Sequence, residues 1–387
     1  MRVSATKTAP RVEQNAYSYA KGIKLYGQNN DYPQKILEIV RSSGTGQVCV
    51  DIYVKFIEGG GFRDQVLANL IMNQRKERAN SLLRKCAKDL RSFNGFALLV
   101  KYNGLAQPFA VYNVPFEHCR IEIDKDKQYT GRVAIHPDWT GIKGLKFDKE
   151  DIVFVNQFNP STVIEEMLEA GSPLAYIGQL LYFTADGDFE YPICPFDPVV
   201  TDMLTEEAVS TVKHRNAKNN FLPSGVLVRK GIKPATTDSG AYDTEDPKNR
   251  EQEASAAEIK SWQGDSNACK MLVVDVDADE EKPEFIKFEA ANYDKQYEYT
   301  ENTVQENIGR MSMIPPILRG VDVGAGFGAD LMNNAYDFMN NITDNERRML
   351  EVAFMDVMQQ WPQQFADYTV EPLKYTTTVQ ITNTPAV

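Results

Sequence analysis

Between residues 292 and 342 the apolar residues recur at a spacing that writes two helices with a stop between them. Tyr293, Tyr297, Val304, Ile308 and Met311 fall within about 60° of one another at helical spacing, predicting a long helix with one narrow apolar stripe. Its other faces carry Asp294, Lys295, Glu298, Glu301, Glu306 and Arg310, so it packs along a single seam and shows charge elsewhere. Pro315-Pro316 stops it, because neither ring can continue the hydrogen-bonded ladder. A glycine-rich turn follows, Gly320-Val-Asp-Val-Gly324-Ala-Gly326-Phe-Gly328. A second periodic segment then starts with Leu331, Ala335, Phe338, Met339 and Ile342 and continues through Met349, Leu350, Ala353, Phe354 and Val357 to Trp361-Pro362.

Upstream, the turn-rich stretch Tyr26-Gly-Gln-Asn-Asn-Asp-Tyr-Pro33 leads into a helix over 33–42, with Pro33 suited to its first turn. An apolar element over 48–57 is closed by Glu58-Gly-Gly-Gly-Phe62, where three glycines require a sharp turn. Residues 64–92 read as one long amphipathic helix on Leu67, Leu70, Ile71, Leu82, Leu83 and Leu90, followed by a strand over 95–102. The pattern then changes to period two, with short strands at 109–112, 119–123, 131–135 and 152–154, the mark of a mixed α+β domain. Residues 182–196 are strand-like but broken by Asp186-Gly187 and prolines. A helix over 198–220 carries Leu204, Ala208 and Val212 in an i, i+4 row. Strands at 226–229, 271–276 and 285–288, a short helix near 254–262 and a polar tract over 235–253 complete a small α/β unit between the two narrow-stripe helices. The chain ends in a strand-like tail over 368–381.

Composition narrows the function classes. Of the 387 residues 42% are hydrophobic and 25% charged, which argues against wholesale disorder. No apolar run approaches the ~18 residues a membrane helix needs, and the N-terminus lacks the apolar core of a secretory signal, so no membrane partner and no export are expected. Five cysteines without paired spacing suit reduced thiols better than disulfides or zinc. The net charge of −12 argues against tight phosphate binding, though not against a surface past which nucleic acid slides.

Several motifs fail on context. Gly324-Ala-Gly326-Phe-Gly-Ala329 spells a dinucleotide fingerprint, but it follows Pro315-Pro316 and leads into a helix with no strand behind it. Asp275-Val-Asp277-Ala-Asp279 opens like a calcium loop, yet Glu280 and Ile286 stand where Gly and Glu are required. His118 beside Cys119 reads as a ligand pair or a nucleophile with its base, or as strand neighbours on opposite faces. His136 before Pro137 reads as a turn residue. Lys213, His214, Arg215 and Lys218 could contact phosphates or simply complement a helix C-terminus. No metal, cofactor or catalytic group is expected.

The order of parts resembles the portal proteins of tailed bacteriophages, of the long-tailed type. Tyr26-Gly-Gln-Asn-Asn-Asp-Tyr-Pro33 is similar to the family's early Asn-x-Tyr-Pro turn. Asn219-Asn-Phe-Leu-Pro-Ser-Gly-Val-Leu227 resembles its stem-to-clip junction, and Ile308-Gly-Arg-Met-Ser-Met-Ile-Pro-Pro-Ile-Leu-Arg-Gly320 the end of its second stem helix. The resemblance spans about residues 26–360. It implies an α+β subunit with an α/β wing (1–200), stem helix 1 (201–222), an inserted α/β clip (223–289), stem helix 2 (290–316), a tunnel loop (317–330), a long tunnel helix with the rest of the wing (331–367) and a strand-like tail (368–387), with little or no crown. It further implies a homo-oligomeric ring, usually of twelve, at a capsid vertex of the virion. Double-stranded DNA would be packaged and ejected through that ring, and the large terminase, major capsid protein and a head-tail adaptor would be its partners. Within that picture Val321, Gly324, Gly326 and Gly328 are expected to face the channel as a mobile loop. Glu298, Glu301, Glu306 and Arg310 are expected at stem subunit contacts, and Lys213, Arg215 and Lys218 are candidate DNA-facing cations. The alternatives are an enzyme acting on a nucleotide or carbohydrate, and another ring-forming phage connector.

Overall fold

The computed structural model describes residues 17–18, 22–27, 29–124, 128–139, 151–185, 191–218, 225–230, 271–276, 284–287, 293–321 and 329–375. The chain divides into two compact units, one formed by Met1–Met203 with Asn307–Val387 and the other by Leu204–Glu306.

The first unit is a mixed sheet flanked by helices. Its strands are β1 (Tyr17–Ser18), β2 (Ile23–Lys24), β3 (Gly95–Tyr102), β4 (Pro108–Val114), β5 (Cys119–Ile123), β6 (Tyr129–Ile135), β7 (Val153–Gln157) and β8 (Gln179–Thr184), in the order β1-β2-β5-β6-β7-β8-β3-β4. All pairings are antiparallel except β7 with β8. That parallel pair needs a crossover, supplied by the helix α5 (Val163–Glu169), which the sequence pattern did not reveal. The strand expected over 182–196 begins earlier, at Gln179, and ends at Thr184.

Helix α1 (Tyr32–Ser42) forms as the periodicity predicts, and the apolar element expected over 48–57 is part of a second helix, α2 (Gly44–Glu58). Ser43 separates them and caps α2, its hydroxyl accepting from the Gly46 amide at 2.9 Å. The single helix expected over 64–92 is instead α3 (Gln65–Asn69) and α4 (Ala79–Phe93). The reason is local: the buried Asn73 carboxamide accepts from the Arg75 and Glu77 amides, so the side chain competes with helix hydrogen bonds, and the polar run 73–78 offers no apolar face to bury. Leu82, Leu83, Cys86, Ala87 and Leu90 then press α4 onto the rest of the unit, and Asn94 ends it in the left-handed region. The long helix expected after residue 331 likewise divides into α8 (Ala329–Ile342) and α9 (Asp344–Met358). At the joint the buried Thr343 hydroxyl turns back to the Met339 carbonyl and receives the Arg347 guanidinium.

The turn at 26–33 is held by a buried cation. Arg120 on β5 is fully enclosed, and its Nε and Nη2 donate to the side-chain and main-chain oxygens of Asn30 at 2.5 and 2.9 Å. Its Nη1 donates to the carbonyls of Glu117 and Cys119 at 2.9 and 2.7 Å. The guanidinium lies against the rings of Tyr26 and Trp139, and Tyr26 stacks in turn on Tyr32 and Tyr191. Burial holds the Arg120 pKa below its ordinary value. At the other end of the unit the triple glycine makes the expected sharp turn and receives the tail: Gly60 donates to the Glu371 carbonyl, Glu371 to that of Gly61, and Phe62 pairs with Val370. The tail beyond 375 lies outside the described residues.

Asp89 on α4 has its carboxyl pushed up to about 7 by burial, against the opposing hydrogen bond from Asn113. The folded state therefore binds a proton that the unfolded chain, titrating near 3.8, has released, and stability falls as pH rises from about 4, levelling off above about 7. Asp89→Asn is expected to raise stability at pH 8 by on the order of 2 kcal/mol and to change little at pH 4. Denaturant melts of both proteins at the two pH values measure this, and an equal effect at both would show that Asp89 is not the titrating group.

The second unit is bracketed by two helices of 19 residues, α6 (Val200–Lys218) and α7 (Tyr293–Met311), through which the chain enters and leaves. Between them β9 (Gly225–Lys230), β10 (Met271–Val276) and β11 (Glu284–Lys287) form a sheet in the order β10-β9-β11, parallel on one side and antiparallel on the other. The polar tract 235–253, the helix near 254–262 and Cys269 lie outside the described residues.

Candidate functional site

Helices α6 and α7 are each about 28 Å long at ~1.5 Å per residue. Their apolar positions are few. On α7, Val304 and Ile308 are buried as the stripe predicts, while Met311 at its end is exposed. On α6 the row Leu204, Ala208, Val212 is half-buried to exposed, so this seam is incompletely covered within one chain. Tyr299, 74% exposed, stands on α7 outside the apolar stripe.

The candidate charged residues are distributed along these helices. Glu298, Glu306 and Arg310 are exposed. Lys213 on α6 forms an ion pair with Glu301 on α7 within the same unit, bringing together one residue named for DNA and one named for subunit contact. That pairing needs the tertiary structure, because the two are 88 residues apart. Arg215 and Lys218 lie in the last turns of α6, and their side chains are outside the described residues.

Beyond α7 the chain turns sharply. The helix ends at Met311, Met313 adopts a positive φ of 54°, and Pro316–Arg319 form a 3-10 turn ending on Gly320 at φ 78°. Gly309 lets the Arg319 guanidinium fold over it, since an added Cβ would sit 2.0 Å from that group and the side chain would have to swing aside. Pro315, Pro316 and Ile317 with Leu331, Ala335 and Phe338 line an apolar groove of about 330 Å³. Val321 is exposed at the start of the glycine-rich segment, whereas Gly324, Gly326 and Gly328 lie outside the described residues.

The chemical alternatives gain little from the geometry. His118 sits on a 3-10 turn and Cys119 opens β5, where burial pushes the thiol well above its ordinary range and its sulfur donates to the Pro115 carbonyl. That thiol is a poor nucleophile. His136 holds a turn, its Nδ1 accepting from the Asp138 amide. Cys49, Cys86, Cys119 and Cys194 are all free and buried. Among the described residues no cluster of His, Cys, Asp or Glu could hold a metal ion, and no helix is long and apolar enough to cross a membrane.

No family model matches the chain, and no curated protein does. Similar solved structures are found at low identity. The neck of a native gene transfer agent particle computed with C12 symmetry is 14% identical, with 88% of this chain and 84% of that one covered at a TM-score of 0.48. The neck of an empty particle computed with C6 symmetry is 12% identical over 92% and 84%, also at 0.48. An HK97 family phage portal protein from Corynebacterium diphtheriae is 8% identical over 76% and 82%, at 0.36.

Proposed function

We propose that this chain is a portal-type subunit, a structural rather than catalytic protein whose copies close into a ring at a capsid vertex through which DNA is packaged and ejected. The observation that supports this most is the second unit: a small sheet inserted between two helices of equal length, followed by a Pro-Pro turn, a glycine-rich segment and another helix. In this reading α6 and α7 are the stem and residues 223–289 are the clip that docks the large terminase. Residues 317–330 face the channel, and the remaining wing meets the major capsid protein and a head-tail adaptor. The half-covered apolar row on α6 is what a helix shows when a neighbouring copy completes its packing. The net charge of −12 suits a conduit past which phosphates slide.

Sedimentation and particle imaging of the purified chain test the proposal. The expected result is a closed ring of several hundred kilodaltons with a central opening. A stable monomer of 43.7 kDa at micromolar concentration would refute it.

A further inference from the structure

The first unit carries two surfaces that fit each other but cannot meet within one chain. One is an open groove of about 680 Å³ lined by Arg75, Leu99, Lys101, Tyr112, Val114 and His118. Its floor is apolar, for Leu99 on β3 stands opposite Tyr112 on β4 and shares its face. Its charge is positive: the Arg75 guanidinium and the Lys101 ammonium lie 5.9 and 5.5 Å from the centre of the Tyr112 ring, and neither forms a salt bridge among the described residues. A basic groove is unexpected on a chain of net charge −12.

The other surface is the outer side of α5. Ile164 and Leu168, 64% and 76% exposed, form one i, i+4 row, and the exposed Glu165 and Glu169 form the row beside it. Leu174, 99% exposed, extends the apolar patch. The helix is a firm platform rather than a loose flap. Val163 and Met167 are buried beneath it, and the Glu166 carboxylate accepts from Thr162 and Tyr176 hydroxyls at 2.6 Å and from the Gln179 amide at 2.9 Å. Gln179 stands opposite Val100 in the sheet, next in the chain to Leu99 of the groove, so α5 and the groove occupy opposite faces.

We propose that α5 of one copy docks in the Tyr112 groove of the next, its Ile164–Leu168 row on the apolar floor and Glu165 and Glu169 against Arg75 and Lys101. The inference rests on the ring reading above and names the surface that closes the ring. Two different patches on opposite faces make a head-to-tail contact, the kind that generates rings when the rotation closes. The apolar rows supply burial and the charges set register.

Charge reversal tests this in three arms, with size measured by sedimentation and integrity by circular dichroism. Arg75→Glu with Lys101→Glu makes both surfaces acidic, and Glu165→Lys with Glu169→Lys makes both basic. Each folded variant alone is expected to shift from the ring to the 43.7 kDa monomer. Mixed in equal amounts, they present matched pairs at every contact and are expected to regain ring size. Rings from either variant alone, or monomers from the folded mixture, would overturn the contact. If the groove variant keeps its ring yet loses wild-type retention on duplex DNA, the groove's occupant is phosphate and the proposal fails. A monomeric wild type would instead refute the ring reading itself.

Discussion

Arg120→Met is expected to lower the stability of the first unit by about 3 kcal/mol or more, since several buried neutral acceptors lose a donor at once. The guanidinium is fully buried and donates to four oxygens: two on Asn30 and the carbonyls of Glu117 and Cys119. Methionine fills much of the volume and removes the cost of burying a charge. It also takes a donor from each oxygen at the joint between the 26–33 turn and β5, at about 1–3 kcal/mol for each one left unsatisfied. The loss therefore outweighs the relief. Arg120→Lys should fall between, since one ammonium cannot span the Asn30 and Glu117 sides together. A guanidinium melt reads this as a lower midpoint at unchanged slope. An unchanged midpoint for the methionine variant would mean that the apolar cage, and not the hydrogen bonds, holds the turn.

Gly59→Ala is expected to cost about 3 kcal/mol or more. Gly59 sits at φ 56° and ψ −139°, a region closed to residues with a Cβ, and the added methyl would lie 2.0 Å from the Glu371 carbonyl oxygen. That oxygen is backbone and already accepts from Gly60 at 2.7 Å, so the tail has to move and its pairing with the turn goes with it. Hydrogen exchange should speed up at the Glu371 and Arg63 amides before it does elsewhere. Gly104→Ala is the control, having nothing within 4 Å of the added methyl, and should be near neutral. Equal losses from the two would show that the contact with the Glu371 carbonyl is not the cause, because restricting the unfolded backbone can only stabilise.

Sequence alone was informative wherever the determining physics is local. The period of 3.6 on Ile36 and Val40, or on Val304 and Ile308, marks helices that form, because one buried stripe is enough to choose the conformation. The strand expected over 95–102 and the period-two strand over 119–123 have limits that the structure reproduces. Gly59 and Gly61 adopt the positive φ that a triple glycine foretells, and the helix before Pro315-Pro316 stops. The succession of a long helix, a Pro-Pro stop and a further helix, on which part of the portal resemblance rests, was legible in the same way.

The tertiary structure decided what depends on partners distant in sequence. Nothing near residue 120 marks that arginine for burial, since its acceptors on Asn30 lie 90 positions away. Asn73 and Thr343 stand at the two helix breaks, and besides their local hydrogen bonds each reaches distant backbone, the Asn73 amide donating to the Val111 carbonyl and the Thr343 hydroxyl to that of Phe56. Helix α5 is invisible to a pattern search because its outward face is as apolar as its inward one, Ile164 and Leu168 against Val163 and Met167. The Tyr112 groove exists only where β3 and β4 pair, and the Lys213–Glu301 contact only where α6 meets α7, since surface charge acquires a partner through the fold and not through the order of residues.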